Sequence, residues 1–117
     1  MSTEVEIGVL TERVRELAAR RLEGYELEAV PRPWGRSVYL RWESRGVKRA
    51  LELQVAESEP LGIDVWATAS KARKDRSLKL ASLPGAPDEG ALEEALAAAI
   101  DWAERWKVAD FYESGSL

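Results

Sequence analysis

The chain predicts an α+β fold, a two-layer sandwich in which an antiparallel meander of four to five strands carries an N-terminal and a C-terminal helix on one face. Three observations predict it. Apolar residues recur at helical spacing near both ends of the 117 residues. Between those ends the period shifts to two over several short runs, each closed by turn residues. No repeat, linker or second compositional block interrupts the pattern, so residues 1–110 read as a single α+β domain and residues 111–117 as a C-terminal tail.

The first helix opens on Thr3-Glu4-Val5-Glu6, which fits a capping box, with Gly8 able to delay its start. Ile7, Leu10, Val14, Leu17 and Ala18 form its apolar stripe, and Gly24 stands where a left-handed C-terminal cap is expected. Tyr25, Leu27 and Ala29 begin the strands, until Pro31-Arg32-Pro33 is expected to interrupt them. Val38, Leu40 and Trp42 alternate with Ser37, Tyr39 and Arg41. After the turn Ser44-Arg45-Gly46, Leu51, Leu53 and Val55 alternate with Ala50, Glu52 and Gln54, the strongest hairpin signal in the chain. A loop over 57–62 leads to Ile63, Val65, Ala67 and Ala69. Residues 70–77 are polar enough to predict an exposed connection, and 77–80 a short edge strand. Asp88 is the expected N-cap of the last helix, with Glu89, Glu93 and Glu94 near its positive end. Leu92, Ala95, Leu96, Ala99, Ile100, Ala103 and Trp106 form its apolar face, with Trp102 at the border. Phe111-Tyr112 is expected to fold back before a frayed end. On parity, Val38, Leu40, Trp42, Leu51, Leu53 and Val55 face the helices.

Composition narrows function more than motifs do. His, Cys and Asn are absent, which removes the side chains that do most protonation, thiol and soft-metal chemistry near neutral pH. No phosphate loop, dinucleotide fingerprint, nucleophile elbow or HExxH appears, and the carboxylates show no spacing that singles out a catalytic pair or calcium loop. The expectation is a non-catalytic protein with no cofactor and no metal. An acidic N-terminus without an apolar signal core and the lack of a long apolar run predict a cytoplasmic protein that does not enter a membrane. Depletion of Asn, Cys, Gln and Met beside abundant Arg, Glu, Ala and Leu resembles thermophile usage, although a GC-rich genome produces a similar bias.

Charge is partitioned along the chain. Residues 31–79 carry eleven basic and six acidic side chains, whereas 1–30 and 80–117 are both acidic. Such asymmetry marks either a partner surface or the attraction of one layer of the fold for another. Two groups of candidate site residues follow. Tyr39, Arg41 and Trp66 share the solvent parity of their strands, with Trp34 and Arg36 in the loop nearby. Trp and Tyr beside Arg is the composition of protein-interaction hot spots, and cross-strand packing is the structural alternative. These residues predict binding to another protein or to a second copy in a homodimer. The basic stretch Lys71, Arg73, Lys74, Arg76 and Lys79 supplies the alternative, a nucleic-acid-binding module that contacts phosphates. A weaker alternative is a small-ligand pocket between sheet and helices with Trp walls.

Overall fold

The computed structural model describes residues 7–56, 62–84 and 88–111. Helix α1 spans Ile7–Arg21. Strands β1 to β5 span Glu26–Arg32, Gly35–Ser44, Val47–Ala56, Gly62–Lys71 and Lys74–Pro84. Helix α2 spans Glu89–Arg105, and a 3-10 turn follows at Val108–Phe111. The five strands lie in the order β1-β2-β3-β4-β5, each antiparallel to its neighbours. This is the meander the alternating runs predict.

Burial follows the same parity. Val38, Leu40 and Trp42 of β2, Leu51, Leu53 and Val55 of β3, and Ile63, Val65 and Ala67 of β4 form one core. Leu10, Val14, Leu17 and Ala18 of α1 join it, as do Leu92, Leu96, Ala99, Ile100 and Ala103 of α2. Ala99 and Ala103 have no exposed surface, and their small side chains let α2 lie close to the sheet. Both helices therefore bury their stripes against a single sheet face, and among the described residues neither helix covers the opposite face. Asp88 caps α2 as expected, its carboxylate accepting from the Ala91 N–H at 2.7 Å.

Four local expectations change. Pro31 does not end the first strand, because β1 is an edge strand and has no outer neighbour that needs the missing N–H. Residues 70–77 are not a free connection. Ser70 pairs with Asp75 and Lys71 with Lys74 around a two-residue turn at Ala72-Arg73, with Ala72 in the left-handed region at φ 57°. Their polarity reflects length: a strand rises about 3.3 Å per residue and a helix about 1.5 Å, so this hairpin outruns the helical layer and its tip needs no apolar face. Gly24 has no positive φ, and the Leu22 N–H instead closes the last turn of α1 on the Ala18 carbonyl at 2.8 Å. Trp102 and Trp106 exchange roles. Trp102 is buried in the main core, while half-buried Trp106 stands edge-on to it at 5.6 Å and tilts against Phe111 at 6.3 Å. Phe111 seals a second small core with Val47 and Ala69 beyond the end of α2, so the first residue of the expected tail is wholly buried. The capping box at Thr3–Glu6, most of the 57–62 loop and Tyr112–Leu117 lie outside the described residues.

Candidate functional site on the uncovered sheet face

The pairing register converts solvent parity into rows that cross the sheet. One row runs through all five strands as Glu28, Tyr39, Glu52, Trp66 and Lys79. Beside it lie Ser37, Gln54, Asp64 and Ser82 on one flank, and Arg41, Ala50, Thr68 and Ser77 on the other. Tyr39 and Trp66 thus stand near the middle of the face, separated by one carboxylate.

Tyr39 is held from several sides. Its hydroxyl accepts from Arg32 Nη2 at 2.6 Å and donates to Glu52 Oε2 at 3.2 Å. The Arg41 guanidinium lies 4.5 Å from its ring centroid and that of Arg32 5.8 Å, a favourable placement of cation and ring. Arg41 also pairs with Glu28 at 3.2 Å. Glu52 Oε2 further accepts from Ser37 Oγ at 2.8 Å and Gln54 Nε2 at 3.3 Å. Such a network fixes the rotamers of these side chains. Trp66 is half-buried, with Lys79 Nζ 6.0 Å from its ring centroid. Its indole N–H has no hydrogen-bond partner among the described residues. Two cavities bracket the row. One of 780 Å³ is lined by Arg41, Lys48, Ala50 and Thr68 among others. The second, of 450 Å³, is lined by Trp34, Gln54, Asp64 and Ser82 with Ala56, Gly62, Leu83 and Pro84.

The structure therefore brings together Trp34, Tyr39, Arg41 and Trp66 on one face. Arg36 is the exception. It pairs with Val55 one residue out of phase from Ser37, and so carries the parity of Val38 and Leu40 on the helix side of the sheet. The basic stretch is divided as well. Lys71, Arg73 and Lys74 sit at the tip of the β4–β5 hairpin, and Lys79 stands on the uncovered face over Trp66. Arg76 turns to the helix side, where it lies 5.4 Å from the Trp106 ring and donates to the Asp110 carbonyl at 3.1 Å. Arg76 is thus occupied in holding the C-terminal turn. Among the described residues, no three His, Cys, Asp or Glu side chains are grouped to hold a metal ion, and no helix is long and apolar enough to cross a membrane.

A second polar concentration, missed in the sequence, lies under the sheet. Arg49 points into the core on the parity of Val47 and Leu51, with its side chain wholly buried. It donates from Nε to Ser44 Oγ at 2.7 Å, from Nη2 to the Ser44 carbonyl at 3.0 Å, and from Nη1 to the Ala103 carbonyl. Its Nε also lies 3.4 Å from Glu104 Oε2. Glu104 accepts from Trp42 Nε1 at 2.9 Å and Ser44 Oγ at 2.8 Å, while Arg45 reaches both its carboxylate and its carbonyl. Two arginines of the β2–β3 hairpin thereby satisfy last-turn carbonyls of α2, at the end where the helix dipole favours cations. The signal was available: a charged residue in phase with apolar neighbours needs a partner. These groups bond chiefly to one another, so the cluster forms a clasp between sheet and helix.

Burial alone raises the Glu104 pKa, but the hydrogen bonds from Ser44, Trp42 and Arg45 and the charge of Arg49 outweigh it and hold it below the ordinary 4.5. Burial lowers the Arg49 guanidinium, Glu104 opposes that, and Arg45 adds to it. A depressed carboxylate contributes stability that is whole above its unfolded pKa and is lost as pH falls through the folded value. The gap in unfolding free energy between the protein and Glu104→Gln is therefore expected to be constant above pH 4.5 and to narrow below it. Denaturant titrations across that range check this, and a gap unchanged at low pH would contradict it.

Fold and site together define a class: a two-layer α+β domain that presents an uncovered, pre-ordered aromatic sheet face. Comparison with known proteins found no matching family model, no similar characterised protein and no similar solved structure.

Proposed function

We propose that this is a small, non-catalytic, cytoplasmic binding protein that recognises another protein, or a second copy of itself, through the uncovered sheet face, and so serves as an adaptor, inhibitor or regulator. One observation carries the reading: Tyr39 and Trp66 occupy one cross-strand row on the face that neither helix covers, with Arg32, Arg41 and Lys79 against their rings. Trp, Tyr and Arg dominate interface hot spots because they bury large area with few rotatable bonds. The edges of the sheet are poorer candidates. β1 carries Pro31 among charged residues, and β5 is irregular opposite Val65/Trp66 and carries Lys74, Asp75, Arg76 and Lys79, features that discourage strand addition.

The face is mixed in charge, with Glu28, Glu52 and Asp64 interleaved among its aromatics. That composition suits a polar, non-obligate protein interface and repels a phosphate backbone. The nucleic-acid alternative rests on Lys71, Arg73 and Lys74 at the hairpin tip. It requires affinity for mixed oligonucleotides that falls steeply with salt, and no binding at low salt disposes of it.

The test pairs binding with stability. Arg41→Ala and Trp66→Ala are each expected to weaken partner binding by about 2 kcal/mol or more, roughly thirtyfold. Each is expected to cost no more than about 1 kcal/mol of folding stability, the range of cross-strand surface pairs. Undiminished affinity in both variants would overturn the reading. For the self-associating form, light scattering is expected to show a dimer that the same substitutions dissociate.

A further inference from the structure

Three carboxylates of the uncovered face, Glu28, Glu52 and Asp64, differ in what already satisfies them. Glu28 is paired with Arg41 at 3.2 Å. Glu52 accepts from Ser37, Tyr39 and Gln54. Asp64 accepts from Ser82 Oγ at 2.6 Å, and among the described residues no cation lies within ion-pair reach of it. The stretches outside the described residues contain no Lys or Arg. Asp64 is thus a carboxylate with unused acceptor capacity, and it is the only charged side chain among the eight that line the 450 Å³ cavity.

Trp34 lines the same cavity. It occupies the two-residue turn between β1 and β2, directly after Pro33, whose ring fixes the backbone angle leading into it. The indole is 41% exposed, unusual for the largest side chain in the chain. Small residues line the cavity as well. Ala56 and Gly62 pair across β3 and β4, and a Cβ at Gly62 would stand 2.9 Å from the Leu83 carbonyl oxygen. An aromatic face, one under-satisfied carboxylate and no competing cation is the arrangement that receives a positive group on a slender stem.

We propose that the Trp34–Asp64 cavity receives the guanidinium of an arginine side chain presented by the protein partner. The assignment rests on the reading of the uncovered face as the binding surface. Charge complementarity selects a cation, and shape selects arginine over lysine. A planar guanidinium stacks on an indole and forks onto a carboxylate, whereas an ammonium is a hydrated point charge. Gln54 and Ser82 line the same cavity, and each carries a side-chain oxygen able to accept.

The test uses nitrogen-15-labelled full-length protein with the Trp34 indole N–H resonance assigned through Trp34→Phe. Blocked Gly-Arg-Gly is titrated in, with Gly-citrulline-Gly and Gly-Lys-Gly as matched probes. The arginine peptide is expected to move the Trp34 resonance saturably at millimolar concentration. Asp64→Asn, which keeps an acceptor for Ser82, is expected to weaken it about tenfold, the change that 1.4 kcal/mol produces. The uncharged citrulline peptide is expected to leave the resonance in place, and the lysine peptide to bind more weakly than arginine. No movement with the arginine peptide, an equal response to citrulline or lysine, or indifference to Asp64→Asn would each overturn the assignment. So would movement on concentrating the protein alone, which gives the cavity to a second copy. If the assignment fails while Arg41→Ala and Trp66→Ala still weaken partner binding, the binding face stands and only its arginine is lost.

Discussion

Arg49→Ala is expected to lower the unfolding free energy by about 3–5 kcal/mol, the range seen when one member of a buried ion pair is removed. Three losses combine. The Ala103 carbonyl and both Ser44 acceptors lose their donor, the side chain leaves a void where it was wholly buried, and Glu104 keeps its charge without the guanidinium. Arg45 lessens the last effect because it still reaches Glu104. Arg49→Lys keeps a charge but not the fork that spans Ser44 and Ala103, so it is expected to fall between the two. Chemical denaturation followed by Trp fluorescence measures all three proteins. A loss under about 1 kcal/mol, the level of an exposed ion pair, would show that the clasp does not hold the hairpin to α2.

Phe111→Ala is expected to cost about 3 kcal/mol, the lower end for emptying a buried aromatic site. Phe111 has no exposed surface and closes the core formed with Val47 and Ala69. Its ring also supports Trp106 at 6.3 Å and lies 5.7 Å from the Arg76 guanidinium. The segment that carries it is fixed by the Asp110 carboxylate accepting from the Lys107 N–H at 2.7 Å. Without the ring, the 3-10 turn is left with the Arg76 hydrogen bond to the Asp110 carbonyl and the packing of Val108, and faster amide exchange in 108–111 is expected beside the lost stability. An unchanged denaturation midpoint would mean that the domain ends with α2.

Strand phase was the legible part of this fold. Val38 through Trp42 and Leu51 through Val55 announced both period and facing, because a half-buried strand writes its burial into alternate residues. The same logic placed Tyr39, Arg41 and Trp66 on the uncovered face. It failed where burial does not dictate the side chain. Residues 70–77 pair through their backbones at a hairpin tip that no helix covers, so their polarity carried no strand signal. Arg36 was drawn to the aromatics by nearness in sequence, yet one residue of register sends it to the other side. Trp102 and Trp106 exchanged places because Phe111 builds a second small core that helical periodicity cannot announce. The Arg49–Glu104 clasp and the Trp34–Asp64 cavity were hidden for a different reason. Each joins residues distant in sequence, 54 apart for Arg49 and Ala103; the packing of α2 on the sheet brings the first set together, and strand register the second.

The central claim is that the uncovered sheet face, and not the helical layer, holds the partner. Its most direct measurement is quantitative partner retention by immobilised protein, comparing wild type with Trp34→Ala/Trp66→Ala and with Val9→Ser on the exposed side of α1, where Val9 is 53% exposed. Val9→Ser is expected to retain the partner as wild type does, and the double variant, still folded by circular dichroism, to lose it by at least about thirtyfold in affinity. Full retention by the double variant, or loss with Val9→Ser alone, would contradict that claim.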